Sequence, residues 1–203
     1  MNGIDAVVFD LGNVLIAVDE PRGAKRMAAR TGKTRQQIEE YIRGTSHGHE
    51  LALGKVSKKQ FFHTVAKDLG FDGTYDEFAL IWSDIFTPID SMIVLAESLK
   101  TRVPRLLLSN TNAIHMDYIL ERYTFLDDFD AHILSHEVGL LKPDAAIYRY
   151  TLDKYGLTAE RTVFLDDLAT NVEGARRVGM QAIHFLNPEQ ARAELTKLGV
   201  SPI

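Results

Sequence analysis

At 203 residues, with 45% hydrophobic and 25% charged residues, the chain has a globular composition and is long enough for one well-cored domain or for a core with a smaller insert. Its net charge of −5 disfavours nucleic acid as a partner, and the absence of cysteine excludes a disulfide framework, thiolate zinc sites and a thiol nucleophile. No stretch approaches the ~20 apolar residues of a membrane span, and Met1–Asp5 followed by the short apolar run Ala6–Phe9 does not read as a signal peptide, so the expectation is a cytoplasmic protein away from membranes, a monomer or small homo-oligomer.

Ala6-Val7-Val8-Phe9 is a continuous apolar run that stops at Asp10, the pattern of a parallel strand buried on both faces. From Asp10 to Arg105 no convincing strand follows. Helical patterns cover Arg22–Thr31, Thr34–Arg43, Ser57–Leu69 and Tyr75–Phe86, with Ser57 and Gln60 spaced as a capping box and Gly44, Gly54, Gly70 and Gly73 marking turns. This predicts a helical insert over residues 17–87, hinged near Ala17–Glu20 and Thr87–Asp90, within a core formed by residues 1–16 and 88–203. Pro88–Lys100 reads as a core helix feeding the strand Arg105–Leu108, and Ala131–Leu134 as the next strand. Pro143–Tyr155 reads as a helix with proline in its first turn and Gly156 as its C-cap. A strand over Thr162–Leu165, a helix over Thr170–Val178 and a strand over Gln181–Phe185 complete the chain. The alternation predicts an α/β fold, a Rossmann-like parallel sheet carrying an inserted α-helical cap.

Four blocks fall just after or near these apolar runs: Asp10-Leu11-Gly12-Asn13-Val14, Ser109-Asn110-Thr111-Asn112, Lys142-Pro143 and Asp166-Asp167. Open α/β sheets bind ligands outside the carboxyl ends of their strands, so residues far apart in sequence are expected to converge there. The blocks supply a carboxylate, hydroxyl and amide donors, one cation and a carboxylate pair, a set suited to phosphoryl transfer with a hard metal ion. Without cysteine, a carboxylate among metal ligands is the best candidate nucleophile.

These blocks resemble the four motifs of the haloacid dehalogenase superfamily, over essentially the whole chain. The wording of Phe9–Val14, Leu108–Asn112 and Phe164–Asp167 further resembles a branch that includes bacterial α-D-glucose-1-phosphate phosphatase and the N-terminal phosphatase domain of soluble epoxide hydrolase. The resemblance implies a Mg²⁺-dependent phosphatase of a small phosphorylated metabolite, a sugar phosphate such as glucose 1-phosphate, acting through an aspartyl-phosphate. It implies that Asp10 is the nucleophile and that Mg²⁺ is held by Asp10, the carbonyl of Gly12, Asp166 and Asp167. Ser109 and the backbone N–H of Asn110 would hold the phosphoryl oxygens, and Lys142 would balance their charge and that of Asp10. Asn171, one turn beyond Asp167, would support the metal ligands.

One position departs from the family's pattern. Many of its phosphatases carry a second Asp two residues after the nucleophile as general acid and base; here that residue is Gly12. The missing donor favours leaving groups that need little protonation, such as anomeric sugar phosphates or aryl phosphates. Glycine there can also serve a backbone conformation closed to aspartate. In the insert, His47-Gly48-His49-Glu50 offers proton donors toward substrate or a plain polar stretch between helices. Trp82 and Phe61-Phe62 read as insert core, and Asn112 as a further phosphate contact or an ordinary loop residue. Two other functions share the motifs: carbon–halogen hydrolysis, disfavoured by the acidic pair, and a non-catalytic phosphate-binding regulator, which only Gly12 supports. A phosphotransferase or mutase would use the same aspartyl-phosphate.

Overall fold

The computed structural model describes residues 3–200; Met1 and Asn2 of the leader stretch considered above, and residues 201–203, lie outside it. The chain begins with β1 (Ala6–Phe9), then β2 (Ile16–Val18), then five helices, α1 (Glu20–Thr31), α2 (Arg35–Gly44), α3 (His47–Ala52), α4 (Lys58–Leu69) and α5 (Tyr75–Ser83). It continues through β3 (Phe86–Pro88), α6 (Asp90–Ser98), β4 (Arg105–Ser109), α7 (Ala113–Arg122), β5 (Ala131–Leu134), α8 (Ser135–Val138) and α9 (Ala145–Tyr155). It ends with β6 (Thr162–Asp166), α10 (Ala169–Arg177), β7 (Gln181–His184) and α11 (Pro188–Lys197).

The main sheet has the order β5-β4-β1-β6-β7, and every pairing is parallel. Alternate residues of each strand enter different layers. Val7, Phe9, Leu107, Val163 and Leu165 pack with Met92, Leu95, Met116, Ile119 and Leu195 of α6, α7 and α11. Ala6, Val8, Leu106, Leu108 and Phe164 pack with Ile147, Tyr148, Leu152 and Ala175 of α9 and α10. Both faces are covered, which is why the strands are continuous apolar runs. The chain winds outward from β1 through β4 to β5, then crosses to β6 and β7, so the crevice opens at the carboxyl end of β1.

The helical insert has its own core of Ala24, Met27, Ile38, Phe61, Val65 and Phe78. Thr34, Ser57 and Thr74 each close a capping box, with Gln37, Gln60 and Glu77. Phe61 is buried in this core, while Phe62 and Trp82 pack against it.

Three expectations are corrected. Strands do occur between Asp10 and Arg105: β2 and β3 form an antiparallel ribbon, Ile16 opposite Pro88 and Val18 opposite Phe86. Three-residue strands are too short to show a period. The fifth helix accordingly stops at Ser83, and Phe86 is in β3. Pro143 does not open a helix; the Asp144 side chain caps Ala146 N–H, so α9 starts at Ala145.

The ribbon is not the insert's sole attachment. Ile114, in the first turn of α7, is buried in the insert core, and Ser83 Oγ donates to its carbonyl at 3.3 Å. Lys58 pairs with Asp117 of α7. Gly54, at φ +66°, lies so close to α8 that an added Cβ would fall 2.1 Å from the His136 carbonyl oxygen. Gly54→Ala is therefore expected to combine left-handed backbone strain of roughly 1–2 kcal/mol with a backbone collision. Gly70→Ala, at φ +73° with open space around it, should carry only the strain. Chemical denaturation of both variants checks this: Gly54→Ala should be clearly the less stable.

Candidate active site

The site is built where β1, β4 and β6 end side by side. Asp10 follows β1, Ser109 closes β4 and Asp166 closes β6. A cleft of about 580 Å³ lies over them, lined among others by Asp10, Gly12, Asn13, Ser109, Asn110, Lys142, Asp167 and Asn171. The four blocks separated in sequence thus share one cleft.

Lys142 is its electrostatic centre. The side chain is 1% exposed. Its ammonium contacts Asp10 Oδ1 at 2.8 Å, Asp166 Oδ2 at 2.7 Å and the Leu108 carbonyl at 3.0 Å. Its N–H groups donate to Asp166 Oδ2 and to the Leu108 carbonyl, and the ion pair with Asp10 lets Lys142 balance charge between the two carboxylates. Asn110 fixes the lysine's backbone by an exchanged pair of bonds, its Nδ2 donating to the Lys142 carbonyl and its Oδ1 accepting from Lys142 N–H, both 2.9 Å.

The two aspartates of the last block differ in position. Asp166 is fully buried and both oxygens are occupied: Oδ1 accepts from Leu168 N–H at 2.8 Å and Asn171 Nδ2 at 2.9 Å, and Oδ2 accepts from Lys142. It does not line the cleft, whereas Asp167 does. Asn171 also reaches Asp166 Oδ2 at 3.1 Å, so it orients that carboxylate.

Asp10 Oδ1 accepts from its neighbour Leu11 N–H at 2.7 Å and forms an ion pair with Lys142. Oδ2 has no donor among the described residues. Burial pushes the Asp10 carboxyl from its ordinary 3.8 up to about 7; Lys142 opposes the shift and Asp166 adds to it. One cation faces three carboxylates whose oxygens lie within 4.8 Å of one another. The cluster carries excess negative charge and only hard oxygen donors, which fits Mg²⁺.

Asn13 is the residue that sequence reading passed over. It adopts φ 55°, a left-handed conformation that asparagine tolerates. Its Nδ2 donates to Asp167 Oδ2 at 3.2 Å, and its Oδ1 accepts from Val18 N–H at 3.1 Å. Gly12 itself has no left-handed φ, and an added Cβ would meet only Val18 Cγ2 at 3.4 Å. The expectation that Gly12 serves a special backbone conformation is thus corrected: that role belongs to Asn13.

Asn112 is a helix cap, its Oδ1 accepting from Ile114 and His115 N–H, both at 3.0 Å. His47 and His49 do not line the cleft; they sit in α3, His47 3.7 Å from Asp68 and His49 exposed. The histidine that does line it is His115. Burial lowers its pKa to about 4, so it stays neutral around pH 7 and is no proton donor there. Apart from Asp10 and Asp167, the carboxyl lining the cleft is Glu20.

With this geometry in place, the comparisons with known proteins are informative. The family described as haloacid dehalogenase-like hydrolase matches residues 4–179. D-ribitol-5-phosphate phosphatase of Bacteroides thetaiotaomicron is 25% identical over 95% of this chain and 97% of its own. A HAD-like hydrolase of Porphyromonas gingivalis superposes with a TM-score of 0.84 at 26% identity, over 97% of this chain and 98% of that one. A HAD family enzyme of B. thetaiotaomicron, solved as its magnesium complex, gives 0.80 at 25% identity, over 90% and 93%. The chain also matches a drimenol cyclase of Aspergillus calidoustus at 25% identity, spanning 37% of its length.

Lys142→Met should leave Asp10 and Asp166 facing each other unpaired, a loss of roughly 3–5 kcal/mol at neutral pH. A carboxyl with a raised pKa loses stability as pH rises through the folded value, so Asp10 alone does so between about 4 and about 7. The variant should extend that loss to higher pH and recover as one carboxyl protonates. Urea unfolding in metal-free buffer at acidic and alkaline pH measures it; a deficit independent of pH would contradict the coupling.

Proposed function

The chain belongs to the haloacid dehalogenase-like hydrolases, and we propose that it is a Mg²⁺-dependent phosphatase that hydrolyses the phosphate monoester of a small metabolite through an aspartyl-phosphate on Asp10. The observation that carries this reading is the buried Lys142 bridging Asp10 and Asp166 beneath an open cleft.

Asp10, the carbonyl of Gly12 and Asp167 would hold Mg²⁺, with Asp166 orienting Lys142 rather than the ion. When bound, the ion offsets repulsion between the carboxylate and the phosphate dianion. Lys142 favours the ionised form of Asp10 and holds it in place, while Leu11 N–H fixes its Oδ1. A carboxylate oxygen of Asp10 attacks phosphorus; the P–O bond to the leaving group breaks and its electron pair departs with that oxygen. Ser109 Oγ–H and the Asn110 backbone N–H donate to phosphoryl oxygens as their charge shifts. Water then attacks the aspartyl-phosphate, releasing inorganic phosphate and restoring Asp10.

Gly12 supports a finer reading of the substrate. With no carboxyl at that position and His115 neutral, the leaving group departs with little protonation. Anomeric sugar phosphates such as glucose 1-phosphate, and aryl phosphates, share this property.

Asp10→Asn should abolish phosphate release with the fold unchanged, and excess chelator should abolish it in the unaltered protein. Wild-type rates in either case would refute the mechanism. Single-turnover rates on phosphate esters with graded leaving groups should fall steeply as the leaving-group pKa rises, since general acid help worth ~10²–10⁴ is missing. A flat dependence would direct attention to Glu20. Gly12→Asp has room for its Cβ and should selectively raise the rates of the poor leaving groups.

A further inference from the structure

The loop Ser109–Asn112 is held from behind by a residue outside the four blocks. The parallel register sets Ser109 opposite Leu134, so Ser135 is the first residue past the end of β5. It is fully buried at the start of α8 and does not line the cleft. Its hydroxyl accepts from the Thr111 N–H and donates to the Thr111 carbonyl, both at 2.9 Å. One side chain thus spends its O–H and a lone pair on both backbone groups of a single loop residue. Thr111 is buried, and its backbone groups have no other partner among the described residues.

Buried backbone groups left unpaired are costly, so Ser135 fixes which way this part of the loop faces. The Thr111 N–H is turned onto Ser135 and away from any ligand. The Asn110 side chain is spent on the Lys142 main chain. What the loop still offers the cleft is the Asn110 N–H, which has no acceptor among the described residues and belongs to an exposed, cleft-lining residue. That amide lies between two fixed points, Ser109 in the β4–β5 ladder and the clamped Thr111.

We propose that Ser135 is a positioning residue for phosphoryl transfer, which by clamping Thr111 keeps the Asn110 N–H and the adjoining Ser109 hydroxyl where phosphoryl oxygens gain charge. The inference rests on the phosphatase reading and deepens it. A preorganised donor contributes most where charge grows toward the transition state, whereas a donor on a loose loop has to be reorganised during the step. Ser135 touches neither substrate nor ion, and its effect passes through Thr111. Its loss should therefore appear in turnover more than in ground-state binding.

Two variants test this. Ser135→Ala removes the hydroxyl, and Ser135→Cys keeps a side chain of similar size whose thiol bonds weakly. With Mg²⁺ and phenyl phosphate, each should lose roughly tenfold or more in kcat, with KM changed far less. Orthovanadate, which takes up the trigonal-bipyramidal geometry of the transfer, should lose inhibition by a similar factor. Inorganic phosphate, a ground-state ligand, should inhibit nearly as well as before. A purely structural Ser135 would weaken both anions alike or neither. Wild-type kcat in both variants, or equal weakening of the two anions, would overturn the inference. Absence of phosphate release by the unaltered protein would refute the phosphatase reading, and the inference with it.

If both variants fail to fold, the unaltered protein decides. In its amide NMR spectrum the Thr111 N–H should exchange slowly with solvent and the Asn110 N–H quickly. On adding orthovanadate and Mg²⁺, the Asn110 resonance should move and its exchange should slow, with Thr111 unchanged. A Thr111 amide that exchanges as fast as that of Asn110, or that moves with it, would overturn the inference.

Discussion

One buried ammonium holds the active end of this molecule together. Lys142 takes one acceptor from each of three adjacent parallel strands: Asp10 after β1, the Leu108 carbonyl in β4 and Asp166 at the end of β6. Removing an ammonium and two carboxylates from water costs several kcal/mol per ion unless each is well paired. The sheet supplies that pairing because its strands end at the same level. Asn110 then fixes the lysine's main chain from the β4 loop. The arrangement is still short of positive charge, and burial, with Asp166 beside it, raises the Asp10 pKa against the pull of Lys142. That residual imbalance is what a divalent cation relieves.

The helical insert relates to this centre in a way that a hinge between two chain crossings does not capture. Its ribbon, β2–β3, rises directly from the loop that carries Gly12 and Asn13. Its core is completed by Ile114, and α7, which provides Ile114, is capped by Asn112 of the Ser109 block. The insert and the catalytic loops therefore share structural members. Any motion over the cleft must be accommodated at α7, at the Lys58–Asp117 pair and at the Gly54 contact with α8 as well as at the ribbon.

Much of this was legible in the sequence because it rests on short, dense signals. Strands buried on both faces leave uninterrupted apolar runs, and the abrupt polar residue after each run marks its catalytic end, as at Phe9–Asp10 and Leu165–Asp166. The capping box at Ser57 announces its helix directly. The rest depends on long-range geometry. Nothing local separates Asp166, saturated behind the site, from Asp167, which lines the cleft. The His47 and His49 pair was conspicuous by composition, yet packing placed them on α3 away from the cleft and placed His115, spaced as an ordinary helix residue, on its wall. The ribbon strands were hidden by their length, and Asn13 by lying inside a motif whose neighbours carry the more obvious chemistry.

Asn13 has a consequence for how such proteins diversify. One side chain accepts from Val18 at the helical end of the ribbon and donates to Asp167 at the centre of the site. The ribbon's first strand is thus wired into the catalytic loop, whereas among the described residues no hydrogen bond joins the five helices beyond it to that loop. A graft that replaces the helices but keeps both ribbon strands would change what the cleft admits without disturbing the carboxylates. A graft cut before Val18 would sever the wire. The natural seam for exchanging specificity in this scaffold lies on the helical side of the ribbon, after Val18 and before Phe86.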